Sequence, residues 1–229
     1  PLPPPSASDP RFIVEVEQKD RAASGSAFSL NDSGVWATAH HVTEGCDMVA
    51  IQRRDGRLVR AVRVAQQNFA DISILWTTGG APALPVASPS LSIGDDAYSF
   101  GFPQGEPGDL HARLIGRSRM LARGRYETDE PVLAWTHVRR EPDRGAYLGG
   151  ISGGPWVDGR GEVLGVHVAG APRRGRSYST TPEALLAAIR ATAVSAEPDP
   201  GALPPAGLLS PERFERYGDD LRRSQTVAK

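Results

Sequence analysis

Three short segments carry the residue types of nucleophilic acyl transfer. Trp36-Ala37-Thr38-Ala39-His40-His41-Val42 ends an apolar run in two histidines, and Asp71-Ile72-Ser73-Ile74-Leu75 opens another with an acid. Gly149-Gly150-Ile151-Ser152-Gly153-Gly154-Pro155 sets a serine in a glycine-rich turn just ahead of a third run. A serine hydroxyl is a weak nucleophile at neutral pH and needs a base within hydrogen-bond reach. Histidine has a suitable pKa, and a buried carboxylate fixes its tautomer and stabilises the imidazolium. Asp71 and Ser152 supply the acid and the nucleophile, and the histidine pair supplies two candidate bases. Charge that develops on a substrate carbonyl oxygen needs fixed donors. A turn with Gly150 two residues before Ser152 can aim the backbone N–H groups of both at one point, and glycines at 150, 153 and 154 permit the backbone angles this demands. Each segment alone has a plainer reading: a structural histidine, a capping aspartate, a chance turn. Their order and joint occurrence on a strand-rich chain favour chemistry.

The elements around these segments are short. Runs of β-branched and apolar residues recur between Gly, Asp and Pro breaks: Phe12–Val16, Gly25–Leu30, Val35–Ala39, Met48–Gln52, Leu58–Val64 and Ile72–Trp76. After the loop Gly79–Pro85 come Asp96–Phe102, Ala112–Ala122, Pro131–Val138, Pro155–Asp158 and Val163–Ala169. Many short strands at close spacing predict a sandwich or barrels. Thr181–Thr192 reads as a helix, with Pro182 at its first position and Leu185, Leu186 and Ile189 as the apolar stripe. A second helix is expected from Ser210-Pro211-Glu212, with Ser210 as N-cap and Phe214, Tyr217 and Leu221 on one face. Residues 1–10 read as a Pro-rich linker, and Glu197–Pro205 is Pro-rich again. With 26 Lys plus Arg against 27 Asp plus Glu among 229 residues, no net field favours nucleic acid or an anionic membrane. The single cysteine, Cys46, excludes an internal disulfide and is expected to be a small buried hydrophobe. No apolar run approaches the roughly 20 residues of a membrane span.

The chain order His, Asp, Ser resembles that of trypsin-like serine proteases, as do Ser24-Gly25-Ser26-Ala27-Phe28, Thr38-Ala39-His40 and Gly150-Ile151-Ser152-Gly153-Gly154-Pro155. Asp71-Ile72-Ser73-Ile74-Leu75, and Gly94-Asp95 leading to Phe100-Gly101-Phe102-Pro103, resemble the disulfide-free bacterial high-temperature-requirement branch. The resemblance covers residues 11–190. It implies an all-β fold of two perpendicular six-stranded antiparallel β-barrels with the active site in the cleft between them, plus a C-terminal helix and tail. The barrels are expected at 11–84 and 85–192, with residues 193–229 as a tail too short for the PDZ module usual in that branch. It implies the triad His40, Asp71 and Ser152, since the base follows Thr38-Ala39; His41 is the alternative. Gly150 and Ser152 are the expected oxyanion donors. Ile151 replaces the small polar residue common before the serine, and no Ile-Val-Gly-Gly start suggests activation by an inserted amine.

The resemblance also implies a substrate pocket. Ala146, six residues before the serine, is not the Asp of a basic-specific protease. Gly165-Val166-His167-Val168-Ala169-Gly170 resembles the strand of glutamyl endopeptidases and picornaviral chymotrypsin-like cysteine proteases, in which a histidine helps recognise Glu or Gln. An imidazole N–H can donate to such a side chain, and an apolar one would leave it unpaired. The plainer reading makes His167 a core histidine. Tyr147 adds a hydroxyl or fills the pocket, and Val168, Ala169 and Gly170 are expected to pair with substrate backbone as an added strand. These readings imply a polypeptide substrate, no cofactor and an extracytoplasmic setting. A silent pseudoprotease that binds peptides is the rival reading; a zinc site of His40, His41 and Cys46 lacks an evident fourth ligand.

Overall fold

The computed structural model describes residues 1–16, 23–143, 147–171, 174–194 and 209–229. The N-terminal half contains β1 (Arg11–Val16), β2 (Ala27–Asn31), β3 (Val35–Thr38), the one-turn helix α1 (His40–Thr43), β4 (Ala50–Gln52), β5 (Leu58–Gln66) and β6 (Ser73–Thr77). The C-terminal half contains β7 (Asp96–Gly101), β8 (Gly108–Gly124), β9 (Thr128–Glu141), β10 (Pro155–Val157), β11 (Val163–Ala171), β12 (Arg176–Thr180), α2 (Pro182–Ala191), α3 (Phe214–Arg223) and β13 (Val227–Ala228). Every run anticipated as a strand lies on one. The exceptions in the other direction are β12 and β13. Arg176-Ser177-Tyr178-Ser179-Thr180 carries serines at the positions that face inward, so its period-2 pattern lacks the usual apolar contrast.

Two sheets result. The first runs β13-β2-β3-β6-β5-β4, and the Gln52 N–H donates to the Lys229 carbonyl at 2.7 Å, linking its two edges. The second runs β1-β8-β7-β10-β11-β12-β9, and β9 pairs back on β8 to close a six-stranded barrel. This is the double-barrel arrangement expected from the sequence. Two strands nonetheless sit in the opposite half from the one their chain position suggests. β1 pairs parallel to β8 on the outside of the second barrel, and β13, from the expected tail, pairs antiparallel with β2 as an edge strand of the first. One apolar cluster spans both halves, joining Phe28, Leu30, Ile72 and Ile74 to Tyr98, Phe100, Val166 and the helix residues Leu185, Phe214 and Leu221. A second lies within the C-terminal barrel around Leu110, Trp135, Trp156 and Ile151.

The helix at 182–191 starts where expected, with the Thr181 hydroxyl accepting from the Ala184 N–H at 3.2 Å. α3 starts later than Ser210: the backbone carbonyl of Ser210 takes the Arg213 and Phe214 N–H groups at 3.0 and 3.1 Å, and Ser210 is not the N-cap. The Pro-rich stretch 197–205 and the residues up to 208 lie outside the described residues. α3 docks through buried Phe214 and Leu221 and through Arg222, whose guanidinium donates to both oxygens of buried Asp109 at 2.6 and 3.0 Å. Gly218 makes this approach possible, because a Cβ there would lie 2.6 Å from both Asp109 oxygens. Helix docking in turn delivers β13 to β2.

Breaking a buried pair from one side leaves an uncompensated charge and costs about 3–5 kcal/mol, whereas replacing both partners by apolar groups is close to neutral. Arg222→Met is therefore expected to lower the urea-unfolding free energy by about that amount, and Asp109→Leu/Arg222→Met to recover most of it. Additive losses in the double variant would show that the pair does not anchor the tail.

Candidate active site

Asp71 is buried just ahead of β6, and its carboxylate is organised by the second histidine of the pair. The His41 Nδ1–H donates to Asp71 Oδ2 at 2.7 Å, and the His41 backbone N–H donates to Oδ1 at 2.8 Å. His40, the base expected from the sequence, is turned away. Its Nδ1 bonds the Gln67 carbonyl at 3.0 Å and its Nε2 the Glu44 carboxylate at 2.9 Å. Its ring stacks on Tyr126 at 3.9 Å. This arrangement has a local cause. Residues 40–43 form a helical turn, on which Glu44 lies at i+4 from His40, so those two side chains share a face and His41 points elsewhere. The His40/Glu44 spacing was the signal in the sequence that separates the two histidines.

Two partners of Asp71 were not anticipated. The Tyr126 hydroxyl donates to Oδ1 at 3.0 Å, and Glu130 Oε1 accepts the Asp71 backbone N–H at 2.7 Å. Burial raises the Asp71 carboxyl, but the His41 charge and its two hydrogen bonds, with that of Tyr126, outweigh it and hold Asp71 below the ordinary carboxylate range. Burial first, and the Asp71 charge second, push the Glu130 carboxyl well above that range, opposite in direction to Asp71. The same two causes raise the Tyr126 phenol, which keeps its proton for Asp71.

The serine turn is packed against the base of this assembly. Gly153, at φ +91°, has no room for a side chain: a Cβ would lie 2.0 Å from the Ser26 carbonyl oxygen, 2.2 Å from Thr38 Oγ1 and 3.1 Å from the Ala39 nitrogen. A Cβ on Gly25 would meet Val42 at 2.7 Å and the Ser152 carbonyl at 3.1 Å. Gly153, the residue after Ser152, therefore packs against Thr38 at the end of β3, which leads into the histidine pair. Ser26 clamps the turn, its N–H donating to the Ser152 carbonyl and its hydroxyl to the Gly150 carbonyl, both at 2.8 Å. With the carbonyl side of Gly150 held this way and its φ at +101°, the turn keeps one shape. The Gln104 N–H fixes the preceding Gly149 carbonyl at 2.6 Å. Ile151 is buried in the second apolar cluster, anchoring the turn from inside without a polar partner.

Ala146 lies outside the described residues. Tyr147 is exposed, and its ring covers Gly149, where a Cβ would lie 2.3 Å from the phenol oxygen. His167 is buried on β11, stacked on Trp156 at 5.7 Å, with Nδ1 3.5 Å from the Ser99 hydroxyl. Burial, then His137 and His41, lower its pKa to about 3, so the ring is neutral. β10 pairs with β11 only along Val163–Val166, and the Gly153 and Gly154 backbone groups extend that edge to His167. Beyond it the same edge of Val168, Ala169 and Gly170 has no backbone partner among the described residues. Cys46 is exposed, correcting the expectation of a buried thiol, and the rings of His40 and His41 are taken up by Glu44, Gln67 and Asp71.

A sequence profile of the trypsin-like peptidase domain matches residues 25–166. Putative serine protease HhoA of Synechocystis is 29% identical over 162 residues, covering 69% of this chain and 40% of that protein. Serine endoprotease DegS of Escherichia coli is 26% identical over 149 residues, covering 62% of this chain and 39% of DegS. This chain thus spans well under half the length of either. The structure of the Rv3671c protease from M. tuberculosis in its active form superposes with a TM-score of 0.60 at 20% identity, covering 80% of this chain and 78% of that one. The HtrA-type protease AlgW with a decapeptide gives 0.59 at 22% identity, covering 73% and 50%.

Burial of neutral His167 makes stability pH-dependent. Its folded pKa lies below the unfolded value of about 6.5, so its contribution is complete above pH 6.5 and declines as pH falls towards 3. Between pH 6.5 and 5 this amounts to about 2 kcal/mol. His167→Gln is expected to shrink the loss of unfolding free energy between pH 7 and pH 5 by about that much; an unchanged loss would mean that the ring is not held neutral.

Proposed function

The chain belongs to the trypsin-like peptidase family, and on that premise we propose that it is a serine endopeptidase with Ser152 as nucleophile, His41 as base and Asp71 as the acid that orients it. The observation that carries this reading is the pair of bonds from His41 to Asp71, at 2.7 Å from the ring and 2.8 Å from the backbone. With Nδ1–H donated to the carboxylate, Nε2 is the basic nitrogen. It takes the Ser152 hydroxyl proton as Oγ attacks the scissile carbonyl, and returns that proton to the leaving amine as the acyl-enzyme forms. Asp71 remains ionised throughout and stabilises the imidazolium. Backbone N–H groups of Gly150 and Ser152 receive the oxyanion. Water, activated by the same histidine, then hydrolyses the acyl-enzyme.

The substrate is a polypeptide whose backbone pairs with the open edge at Val168, Ala169 and Gly170. The residue before the scissile bond is glutamate or glutamine, read by neutral His167 beneath that edge. Relatives named as periplasmic proteases in Halomonas elongata and Haemophilus influenzae support an extracytoplasmic setting.

Labelling by a fluorophosphonate probe reads the nucleophile directly. Wild-type protein is expected to label, and Ser152→Ala to abolish it. His41→Ala is expected to slow labelling by about 10³-fold or more, and His40→Gln to leave it within about tenfold of wild type. Equal losses in the two histidine variants, or labelling that survives Ser152→Ala, would contradict the assignment.

A further inference from the structure

Behind the open edge of β11 runs a chain of polar side chains that the proposed mechanism does not use. The guanidinium of half-buried Arg140 faces His137 Nδ1, with Nε at 3.1 Å and Nη2 at 2.8 Å. His137 Nε2 lies 2.7 Å from the Ser177 hydroxyl. A guanidinium can only donate, so His137 Nδ1 must accept and the ring proton resides on Nε2. That N–H donates to one lone pair of Ser177 Oγ, so the Ser177 O–H donates to a partner other than His137. Burial, then the Arg140 charge, lower the His137 pKa to about 4, which keeps this tautomer neutral near pH 7.

The register places Ser177 beside Gly170. Ser177 pairs with Gly170 across β11 and β12, and with Trp135 across β12 and β9. A Cβ on Gly170 would lie 4.0 Å from both Leu148 Cδ1 and Ser177 Oγ. The Arg176 carbonyl oxygen lies 3.8 Å from the same point, so a side chain approaching Gly170 would meet Leu148, two residues before Gly150, the Arg176 carbonyl and the buried Ser177 hydroxyl. His167 pairs with Ser179, two residues from Ser177 on the same face of β12. With the His167 Nδ1 turned to Ser99, its Nε2 has no protein partner among the described residues.

We propose that Arg140, His137 and Ser177 form a positioning relay that presents the Ser177 O–H to the side chain preceding the scissile bond, and that with His167 Nε2–H it selects glutamate over glutamine there. This rests on the endopeptidase reading above and decides between the two side chains that reading leaves open. Two donors match the two oxygens of a carboxylate. A carboxamide offers one oxygen and sets its own N–H₂ against the other donor, leaving a buried donor unpaired.

The test is a set of fluorogenic peptides identical except for Glu, Gln or Leu before the scissile bond. Wild type is expected to show kcat/KM for Glu about tenfold or more above that for Gln. Arg140→Met is expected to reduce this ratio to within about twofold and Arg140→Lys to restore most of it, because the relay needs a donor at His137 Nδ1. Ser177→Ala is expected to lower both Glu and Gln cleavage relative to Leu. Fluorophosphonate labelling of each variant, which reads Ser152 without a peptide side chain in the slot, is expected to match wild type and reports intact folding. A Glu:Gln ratio unchanged in Arg140→Met, or no preference for Glu in wild type, would overturn the relay while leaving the endopeptidase standing. No cleavage of any peptide, with no labelling of Ser152, would overturn the endopeptidase reading and the relay with it.

Discussion

Two barrels can share one site only if the serine turn comes closer to the first barrel than side chains allow, and the chain meets this constraint with glycines. At Gly153 a single added carbon would overlap a backbone oxygen of Ser26 and the hydroxyl of Thr38, and at Gly25 it would strike Val42. Ser26 occupies the seam itself, bonded to the carbonyls of both Gly150 and Ser152 and receiving the Phe102 N–H on its hydroxyl at 2.9 Å. Thr38, at the end of β3, closes the arrangement by donating to the Ser26 carbonyl at 2.7 Å. The segment that carries the proposed base and the turn that carries the proposed nucleophile are thereby referred to one residue. Movement of either barrel would disturb both at once. This gives the distant contacts their relevance: the Asp109–Arg222 pair docks α3, α3 delivers β13, and β13 stiffens the edge of β2 immediately after Ser26.

Around Asp71 the electrostatic problem is to keep a fully buried carboxylate ionised. Desolvation alone would raise its pKa, as it does that of Glu130 nearby. Asp71 differs by having three donors, the ring and backbone of His41 and the Tyr126 hydroxyl, whereas Glu130 takes a single N–H through one oxygen. Two carboxyls in one low-dielectric region are thus shifted in opposite directions according to their donors. His40 serves this arrangement from the side. Its ring holds Tyr126 by stacking, and its own two nitrogens are fixed by Gln67 and Glu44.

Much of this was legible in the sequence because it depends on local pattern. The apolar runs of strands such as Val35–Thr38 and Ser73–Thr77, the helix opened by Thr181-Pro182, and the serine turn with its glycines all declare themselves over a few residues. What escaped depends on partners far along the chain. The sixth strand of the first barrel comes from Val227–Ala228, whose two residues carry no periodicity, and β12 hides its inward face behind serines. Tyr126 reaches Asp71 across 55 residues of sequence, and no spacing rule joins them. The choice between His40 and His41 turns on which way a single helical turn faces, and the Glu44 spacing was its only local trace.

Which histidine Asp71 holds decides the identity of the proposed base. The strongly deshielded proton of a histidine–carboxylate hydrogen bond can be followed by NMR in protein labelled with ¹⁵N at histidine, comparing His40→Gln, His41→Gln and Asp71→Asn with wild type. The same Nδ1–H resonance is predicted to disappear in His41→Gln and in Asp71→Asn and to persist in His40→Gln. A resonance lost in Asp71→Asn and His40→Gln but retained in His41→Gln would contradict the account.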